Sequence, residues 1–135
     1  MSFGFASSSS APTAPRRSLR VLHVDDHKPL CEVVRASLER EGHVVETFED
    51  GLSAMQRVRQ DPKAFDVFIC DHHMPRMNGL DVVRELRSLS FRGRIMIFSS
   101  EIDEDVNNIY VQLKVDYVLP KPIHLPELRQ ILAEF

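Results

Sequence analysis

Short apolar runs alternate with longer segments of helical periodicity from residue 19 to residue 135. The apolar runs predict five strands, over 19–24, 43–48, 65–70, 94–98 and 116–119. A helix is predicted after each strand, because apolar residues recur there at intervals of three and four. The first covers 29–41, with Pro29 in its first turn and Gly42 as its C-terminal cap, and the last covers 125–135. The helices between them are marked by Leu52, Met55 and Val58, by Leu80, Val83, Leu86 and Leu89, and by Val106, Ile109, Tyr110 and Leu113.

This strict alternation predicts a parallel sheet with helices on both faces and right-handed crossovers. The continuous apolar run over 65–70 predicts a strand that is buried on both faces. The stripe of the fourth helix is expected to pack in the core, with Tyr110 at the edge of a partner-binding face. Residues 1–18 are rich in Ser, Ala and Pro and predict a disordered leader, so that 19–135 form one domain.

Composition narrows the classes of protein to which the chain can belong. The 135 residues are 43% hydrophobic and 27% charged, as in ordinary globular domains. A net charge of -3 argues against a basic nucleic-acid-binding face. Cys31 and Cys70 lie among apolar residues without metal-ligand spacing, which favours reduced, buried thiols. No apolar run approaches the roughly 18 residues of a membrane helix. We therefore expect a cytoplasmic domain that binds neither nucleic acid nor membrane.

Polar residues stand where four of the five predicted strands end. Asp25 and Asp26 follow the first strand, Asp71 the third, Ser99 the fourth and Lys121 the fifth. The carboxyl ends of parallel strands meet at one edge of a sheet, where binding sites form. Clustered carboxylates require a cation, and hard oxygen ligands suit Mg²⁺. Lys121 and the hydroxyl of Ser99 suit an anionic group at the same edge.

Asp71 is the candidate nucleophile at this edge. The sequence has no Gly-rich phosphate loop and no arrangement that activates a serine or cysteine. A carboxylate can attack a phosphoryl group to form an aspartyl phosphate, with the cation and Lys121 stabilising its charge. An alternative role for Asp25 and Asp26 is to cap the N-terminus of the first helix.

The histidines invite a transition-metal site, since His72 and His73 follow Asp71 directly. Adjacent residues that leave a strand diverge, however, so we expect both to be loop residues that face solvent. His23 lies within an apolar strand and is predicted to be a neutral histidine packed in the core.

Four segments, "VLHVDDHKPL", "VFICDHHMPRMNGLDVV", "IMIFSS" and "PKPI", follow one another in this order. Together they resemble the receiver domain of two-component response regulators, similar to chemotaxis regulators, and the resemblance covers 19–135. It implies a doubly wound, flavodoxin-like (βα)5 fold with five parallel strands in the order 2-1-3-4-5. It also implies that the function is a phosphorylation-dependent switch rather than turnover of a diffusible substrate.

The resemblance implies a role for each matching position. Asp71 is the phosphoacceptor, Lys121 pairs with the phosphoryl group, and Ser99 turns toward that group. The resemblance also implies a cis bond between Lys121 and Pro122. The expected cofactor is Mg²⁺, for which Mn²⁺ can substitute. Its expected ligands are Asp26, Asp71, Asp25 partly through water, and the backbone carbonyl of His73.

The implied partners are proteins. The phosphoryl donor is a phosphohistidine on a histidine kinase or a histidine phosphotransfer protein. The downstream target binds the face formed by the fourth helix, fifth strand and fifth helix. The chain is either a stand-alone receiver or part of a longer regulator or hybrid kinase.

Some positions depart from the family pattern. Val118 stands where receivers carry a Tyr or Phe that reports phosphorylation, and Tyr117 is one residue too early to replace it, because neighbouring strand residues face opposite ways. Lys114 stands where glycine is common. His73 and Glu101 occupy positions whose side chains gate water, and we hypothesise that this pair tunes the lifetime of the phosphoryl group.

Two other functions can be built on the same residues. A phosphohydrolase resembling the haloacid dehalogenase superfamily needs a second aspartate two residues after the nucleophile, where this chain has His73. An interaction module without phosphorylation is the other alternative, and the complete set of acidic residues, hydroxyl and lysine argues against it.

Overall fold

The computed structural model describes residues 17–101 and 103–135, so most of the predicted leader lies outside the described residues. Five strands and five helices alternate along the described chain, as the periodicity predicts. The strands are β1 (Arg20–Val24), β2 (Val44–Phe48), β3 (Val67–Asp71), β4 (Arg94–Ser99) and β5 (Tyr117–Pro120). The helices are α1 (Lys28–Arg40), α2 (Gly51–Gln60), α3 (Gly79–Ser88), α4 (Glu104–Gln112) and α5 (Leu125–Ala133).

All strands of the sheet are parallel, in the order β2-β1-β3-β4-β5. This confirms the parallel sheet that the alternation predicts and the strand order that the resemblance implies. In the register of the sheet, Val24 pairs with Cys70 and Asp71 pairs with Phe98. The residues that follow β1 and β3 therefore lie side by side at one edge.

Helices cover both faces of the sheet, and each face has its own apolar cluster. On one face α2, α3 and α4 contribute Ala54, Met55, Val58, Val82, Val83, Leu86 and Tyr110. On the other face α1 and α5 contribute Val34, Leu38, Leu128, Ile131 and Leu132. All five residues of β3 are buried, which confirms the prediction of a strand covered on both sides.

The ends of the helices follow ordinary capping chemistry. Asp50, Asn78 and Asp103 cap α2, α3 and α4 by accepting hydrogen bonds from backbone N–H groups. Gly42 follows α1 with a φ of 91°, as predicted for a glycine at this end. The N-cap of α1 is His27, without a side-chain cap. Neither Asp25 nor Asp26 is the cap residue, so that alternative role is wrong, although Oδ1 of Asp25 accepts a hydrogen bond from the N–H of His27 at 2.8 Å.

Cys31 and Cys70 are free, buried thiols, as predicted. Within residues 17–101 and 103–135, no helix combines the length and the apolar character that crossing a membrane requires.

Candidate functional site

Three carboxylates meet at the carboxyl edge of the sheet. Asp25 and Asp26 follow β1, and Asp71 ends the neighbouring strand β3. One carboxylate oxygen from each lies within 4.8 Å of the others. Asp25 and Asp71 are buried while Asp26 is exposed, so the cluster opens to solvent on one side. This is the cluster that the strand ends predicted.

Lys121 reaches the cluster from the end of β5. Its Nζ donates a hydrogen bond to Oδ2 of Asp25 at 3.0 Å and lies 3.3 Å from Oδ1 of Asp71. The backbone N–H of Lys121 donates to the carbonyl of Ser99 at 2.9 Å, which ties β5 to the end of β4. The bond between Lys121 and Pro122 is cis, as the resemblance implied.

The charged groups in this cluster shift one another's pKa values. Burial raises the pKa of the Asp71 carboxyl, and the negative charge of Asp25 raises it further, against the opposing effect of Lys121. Burial alone would lower the pKa of Lys121, but its hydrogen bond to Asp25 and the charges of Asp25 and Asp71 raise it above its ordinary value. The lysine therefore stays charged and neutralises part of an unfavourable pair of carboxylates.

The donor set fits a magnesium ion. Carboxylate oxygens are hard ligands, and Mg²⁺ binds through one or two of them while other oxygens complete its shell. The exposed side at Asp26 leaves room for such oxygens. An acidic cluster of this kind is where the resemblance to receiver domains implied that Mg²⁺ binds.

Ser99 is buried at the end of β4, and its hydroxyl is engaged within the loop that follows. Its Oγ donates to the backbone carbonyl of Glu101 at 3.0 Å and accepts from the N–H of Glu101 at 3.1 Å. In this structure Ser99 thus holds the main chain of Glu101, and its predicted turn toward a phosphoryl group stays a prediction.

His73 lies beside both Asp71 and the β4–α4 loop. Its backbone N–H donates to Oδ1 of Asp71 at 3.4 Å. Its Nε2 lies 3.1 Å from the backbone carbonyl of Glu101. The structure therefore brings His73 and Glu101 together, but the contact uses the main chain of Glu101 rather than its carboxylate.

His72 is buried, and the prediction that it faces solvent is wrong. Its Nδ1 lies 2.6 Å from Oη of Tyr110 on α4, and this hydrogen bond joins two side chains that are 38 residues apart. Tyr110 is fully buried, so its predicted place at the edge of a partner-binding face is also wrong. Burial lowers the pKa of His72 and raises that of Tyr110. The sequence carried one signal for this contact. Tyr110 lies within an apolar stripe, and a buried tyrosine hydroxyl needs a hydrogen-bond partner.

His23 is a neutral core histidine, as predicted. Burial lowers its pKa to about 4. Its ring packs edge-on against Phe98, and neither ring nitrogen has a hydrogen-bond partner among the described residues.

Val118 and Tyr117 face opposite sides of β5. Val118 packs against the α2–α4 side of the core, whereas Tyr117 is 37% exposed with its ring 6.1 Å from that of Phe135. The prediction that the two side chains face opposite ways is confirmed, and the inability of Tyr117 to replace the missing aromatic residue stays a prediction.

Comparisons with known proteins agree with this geometry. The family model described as "Response regulator receiver domain" matches residues 21–133. The chain is 35% identical over 132 residues to the sensor histidine kinase AruS of Pseudomonas aeruginosa, covering 95% of this chain and 13% of the kinase. It is 34% identical over 111 residues to the response regulator MprA of Mycobacterium ulcerans, covering 82% of this chain and 47% of MprA.

A solved structure of the chemotaxis response regulator CheY4 of Vibrio cholerae superposes with a TM-score of 0.78 at 28% identity. The match covers 87% of this chain and 98% of that one. The chain thus spans less than half the length of the two relatives, but nearly all of the solved CheY4 chain.

Proposed function

Because this chain belongs to the response regulator receiver domain family of two-component systems, we propose that it is a phosphorylation switch whose acceptor is Asp71. Receiver domains are phosphorylated by sensor histidine kinases. Within this chain, the observation that carries the assignment is the position of Lys121, whose Nζ is within 3.3 Å of carboxylate oxygens from both Asp25 and Asp71.

In the proposed transfer, an oxygen of Asp71 attacks the phosphorus of a phosphohistidine on the donor protein. The new bond joins that oxygen to phosphorus, the phosphorus–nitrogen bond breaks, and the donor imidazole takes up a proton. Lys121 is close enough to follow the negative charge onto the transferred group. The N–H of His73, which already points at Oδ1 of Asp71, can donate to the same group.

Asp25, Asp26, Asp71 and the backbone carbonyl of His73 would hold Mg²⁺, or Mn²⁺ in its place. The ion would supply positive charge for the phosphoryl oxygens. Lys121 now supplies part of that charge, which explains how two buried carboxylates can share the site.

The product of this reaction is a modified protein rather than a released substrate. We propose that hydrolysis of the aspartyl phosphate by this domain is slow, and that His73 and Glu101 tune its rate. Ser99 would exchange its bonds to Glu101 for the phosphoryl group. The main chain at Glu101, which these bonds hold in place, would then rearrange.

We propose that the output is binding of a protein to the α4-β5-α5 face. Val111 and Tyr117 are exposed large hydrophobic side chains on this face. The donor would be a histidine kinase or a histidine phosphotransfer protein in the cytoplasm. Residues 19–135 would form the receiver unit and residues 1–18 the leader, with neither nucleic acid nor membrane as a partner of this unit.

Incubation with acetyl phosphate and Mg²⁺, followed by intact mass measurement, tests the proposal. We expect the mass of the wild type to increase by one phosphoryl group, and Asp71→Asn to show no increase. Asp105→Asn is a matched control, because Asp105 is exposed on α4 and is not one of the three clustered carboxylates, and it should behave as wild type. A wild type that never gains mass contradicts the proposal, and a gain that survives Asp71→Asn places the acceptor elsewhere.

A further inference from the structure

A buried hydrogen bond connects the end of the acceptor strand with α4. His72 follows Asp71 directly, and its Nδ1 lies 2.6 Å from Oη of Tyr110. The two rings are in edge contact, with centroids 5.5 Å apart. Both side chains are buried, so water does not readily replace either partner if the bond breaks.

The first residue of α3 completes this contact. The N–H of Gly79 donates to the carbonyl of His72 at 2.9 Å. A Cβ at Gly79 would overlap Oη of Tyr110 and lie 3.0 Å from Cα of His72. The glycine therefore provides the space in which the tyrosine hydroxyl reaches the histidine, and β3, α3 and α4 meet around one hydrogen bond.

The fifth strand offers no equivalent connection. Val118 has neither a ring nor a hydroxyl at the position that faces the α4 side of the core. Tyr117 faces the opposite way and packs against Phe135. A signal from Asp71 to α4 thus has a direct side-chain route through His72 and Tyr110, and not through an aromatic residue of β5.

We propose that His72 and Tyr110 are positioning residues that couple the acceptor loop to α4, so that phosphorylation of Asp71 moves α4 through their hydrogen bond. This inference rests on the proposed function. A phosphoryl group on Asp71 draws Lys121 and the N–H of His73 toward it and shifts the peptide that carries His72. Because the bond is enclosed and costly to leave unpaired, Tyr110 moves with His72, and α4 moves with Tyr110.

Beryllofluoride with Mg²⁺, a mimic of the phosphoryl group, provides the probe, and backbone amide NMR provides the measurement. In the wild type, we expect beryllofluoride to shift the amide signals of His73 in the acceptor loop and of Asn107, Asn108 and Val111 on α4. Tyr110→Phe removes only the hydroxyl, and we expect it to reduce the α4 shifts at least threefold while the His73 shift remains. Ser88→Ala removes an exposed hydroxyl at the end of α3, which bonds only the carbonyl of Glu85, and should leave both responses unchanged.

A second pair of variants tests the histidine and covers a failure of Tyr110→Phe to fold. The side-chain amide of Asn can occupy the position of Nδ1, so His72→Asn should retain the α4 response, whereas His72→Leu should lose it. Equal α4 responses in these two variants, or a full response in Tyr110→Phe, would overturn the coupling.

The proposed function and the coupling fail in different ways. No mass gain with acetyl phosphate refutes the acceptor role of Asp71 and the coupling with it. A mass gain and a shifted His73 amide, together with unshifted α4 amides in the wild type, refute the coupling alone.

Discussion

Lys121 and Asp25 form an ion pair of 3.0 Å between the end of β5 and the end of β1, across the two strands that separate them in the sheet. The carboxylate of Asp25 is fully buried, so this pair fixes the ammonium group at the mouth of the acidic cluster. Asp71 lies next to the same ammonium group, at 3.3 Å. The free energy of the cluster is therefore expected to depend on pH and on the charge of Asp71.

Removing the charge of Asp71 should stabilise the protein at neutral pH. Its pKa is raised by burial and by Asp25, so the ionised carboxylate is less favourable in the folded than in the unfolded state. We expect Asp71→Asn to increase the free energy of unfolding at pH 7 by about 1 kcal/mol, a size ordinary for one substitution. Urea unfolding without divalent cations measures this difference.

The pH dependence of that difference gives a second check. As pH falls through the raised pKa of Asp71 toward the ordinary carboxyl value, wild-type Asp71 becomes protonated and the advantage of Asp71→Asn should disappear. Asp26→Asn changes an exposed carboxylate of the same cluster and should give a smaller gain. A lower free energy of unfolding at pH 7 for Asp71→Asn than for the wild type would contradict the predicted stabilisation.

Magnesium should stabilise the wild type. An ion that binds only the folded state contributes about 2.7 kcal/mol when its free concentration is one hundred times its Kd. Asp26→Ala removes one of the three clustered carboxylates. The variant should therefore need a higher Mg²⁺ concentration than the wild type to reach the same increase in stability. Thermal unfolding across a Mg²⁺ titration measures both, and identical titration curves would argue against an ion at this cluster.

Gly79→Ala should lower the free energy of unfolding, and the loss should be smaller in a protein that also carries Tyr110→Phe. The added Cβ overlaps the tyrosine hydroxyl and crowds Cα of His72, and overpacking of this kind costs roughly 1–3 kcal/mol. Without the hydroxyl, only the crowding against His72 remains. A double-mutant cycle by urea unfolding should show a favourable coupling energy, and strictly additive effects would contradict the packing described around Gly79.

Lys114→Gly should stabilise the protein. Lys114 has a φ of 62°, a left-handed conformation that costs an L-residue roughly 1–2 kcal/mol and glycine almost nothing. Greater freedom in the unfolded chain offsets part of the gain, so we expect an increase of up to about 1 kcal/mol.

Gln112→Gly gives the matched comparison for this substitution. Gln112 is exposed at the end of α4 with helical backbone, and glycine there should cost up to about 1 kcal/mol. Chemical unfolding of the two variants should therefore give changes of opposite sign.

His73→Ala should shorten the lifetime of the aspartyl phosphate several-fold, because the imidazole would no longer shield the group from water. Glu101→Ala should have the smaller effect, since the ring of His73 contacts the main-chain carbonyl of Glu101, which the substitution retains. The decay of the phosphorylated mass after removal of the donor measures these rates. An unchanged rate in the double alanine variant would remove the tuning hypothesis.

The sequence by itself determined the architecture and the residues of the acidic cluster. Alternating apolar runs and helical stripes specify a parallel sheet, and the carboxyl ends of parallel strands must meet at one edge. The sequence alone therefore predicts a cluster that contains Asp25, Asp26, Asp71 and Lys121. The predicted bounds of the strands differ from the observed ones by one or two residues, because strand ends depend on pairing as well as on the local pattern.

Only the tertiary structure decided how the neighbouring polar side chains are paired. Periodicity indicates the face that a residue occupies, but not the atom that it meets from an element 30 or 40 positions away. His72 was expected in solvent, yet the missing side chain at Gly79 leaves space for Tyr110 to reach it. The contact of His73 with a main-chain carbonyl and the bonds of Ser99 within its own loop likewise depend on how β3, β4 and α4 approach one another. Those approaches are set by packing of the whole core, which the local sequence does not encode.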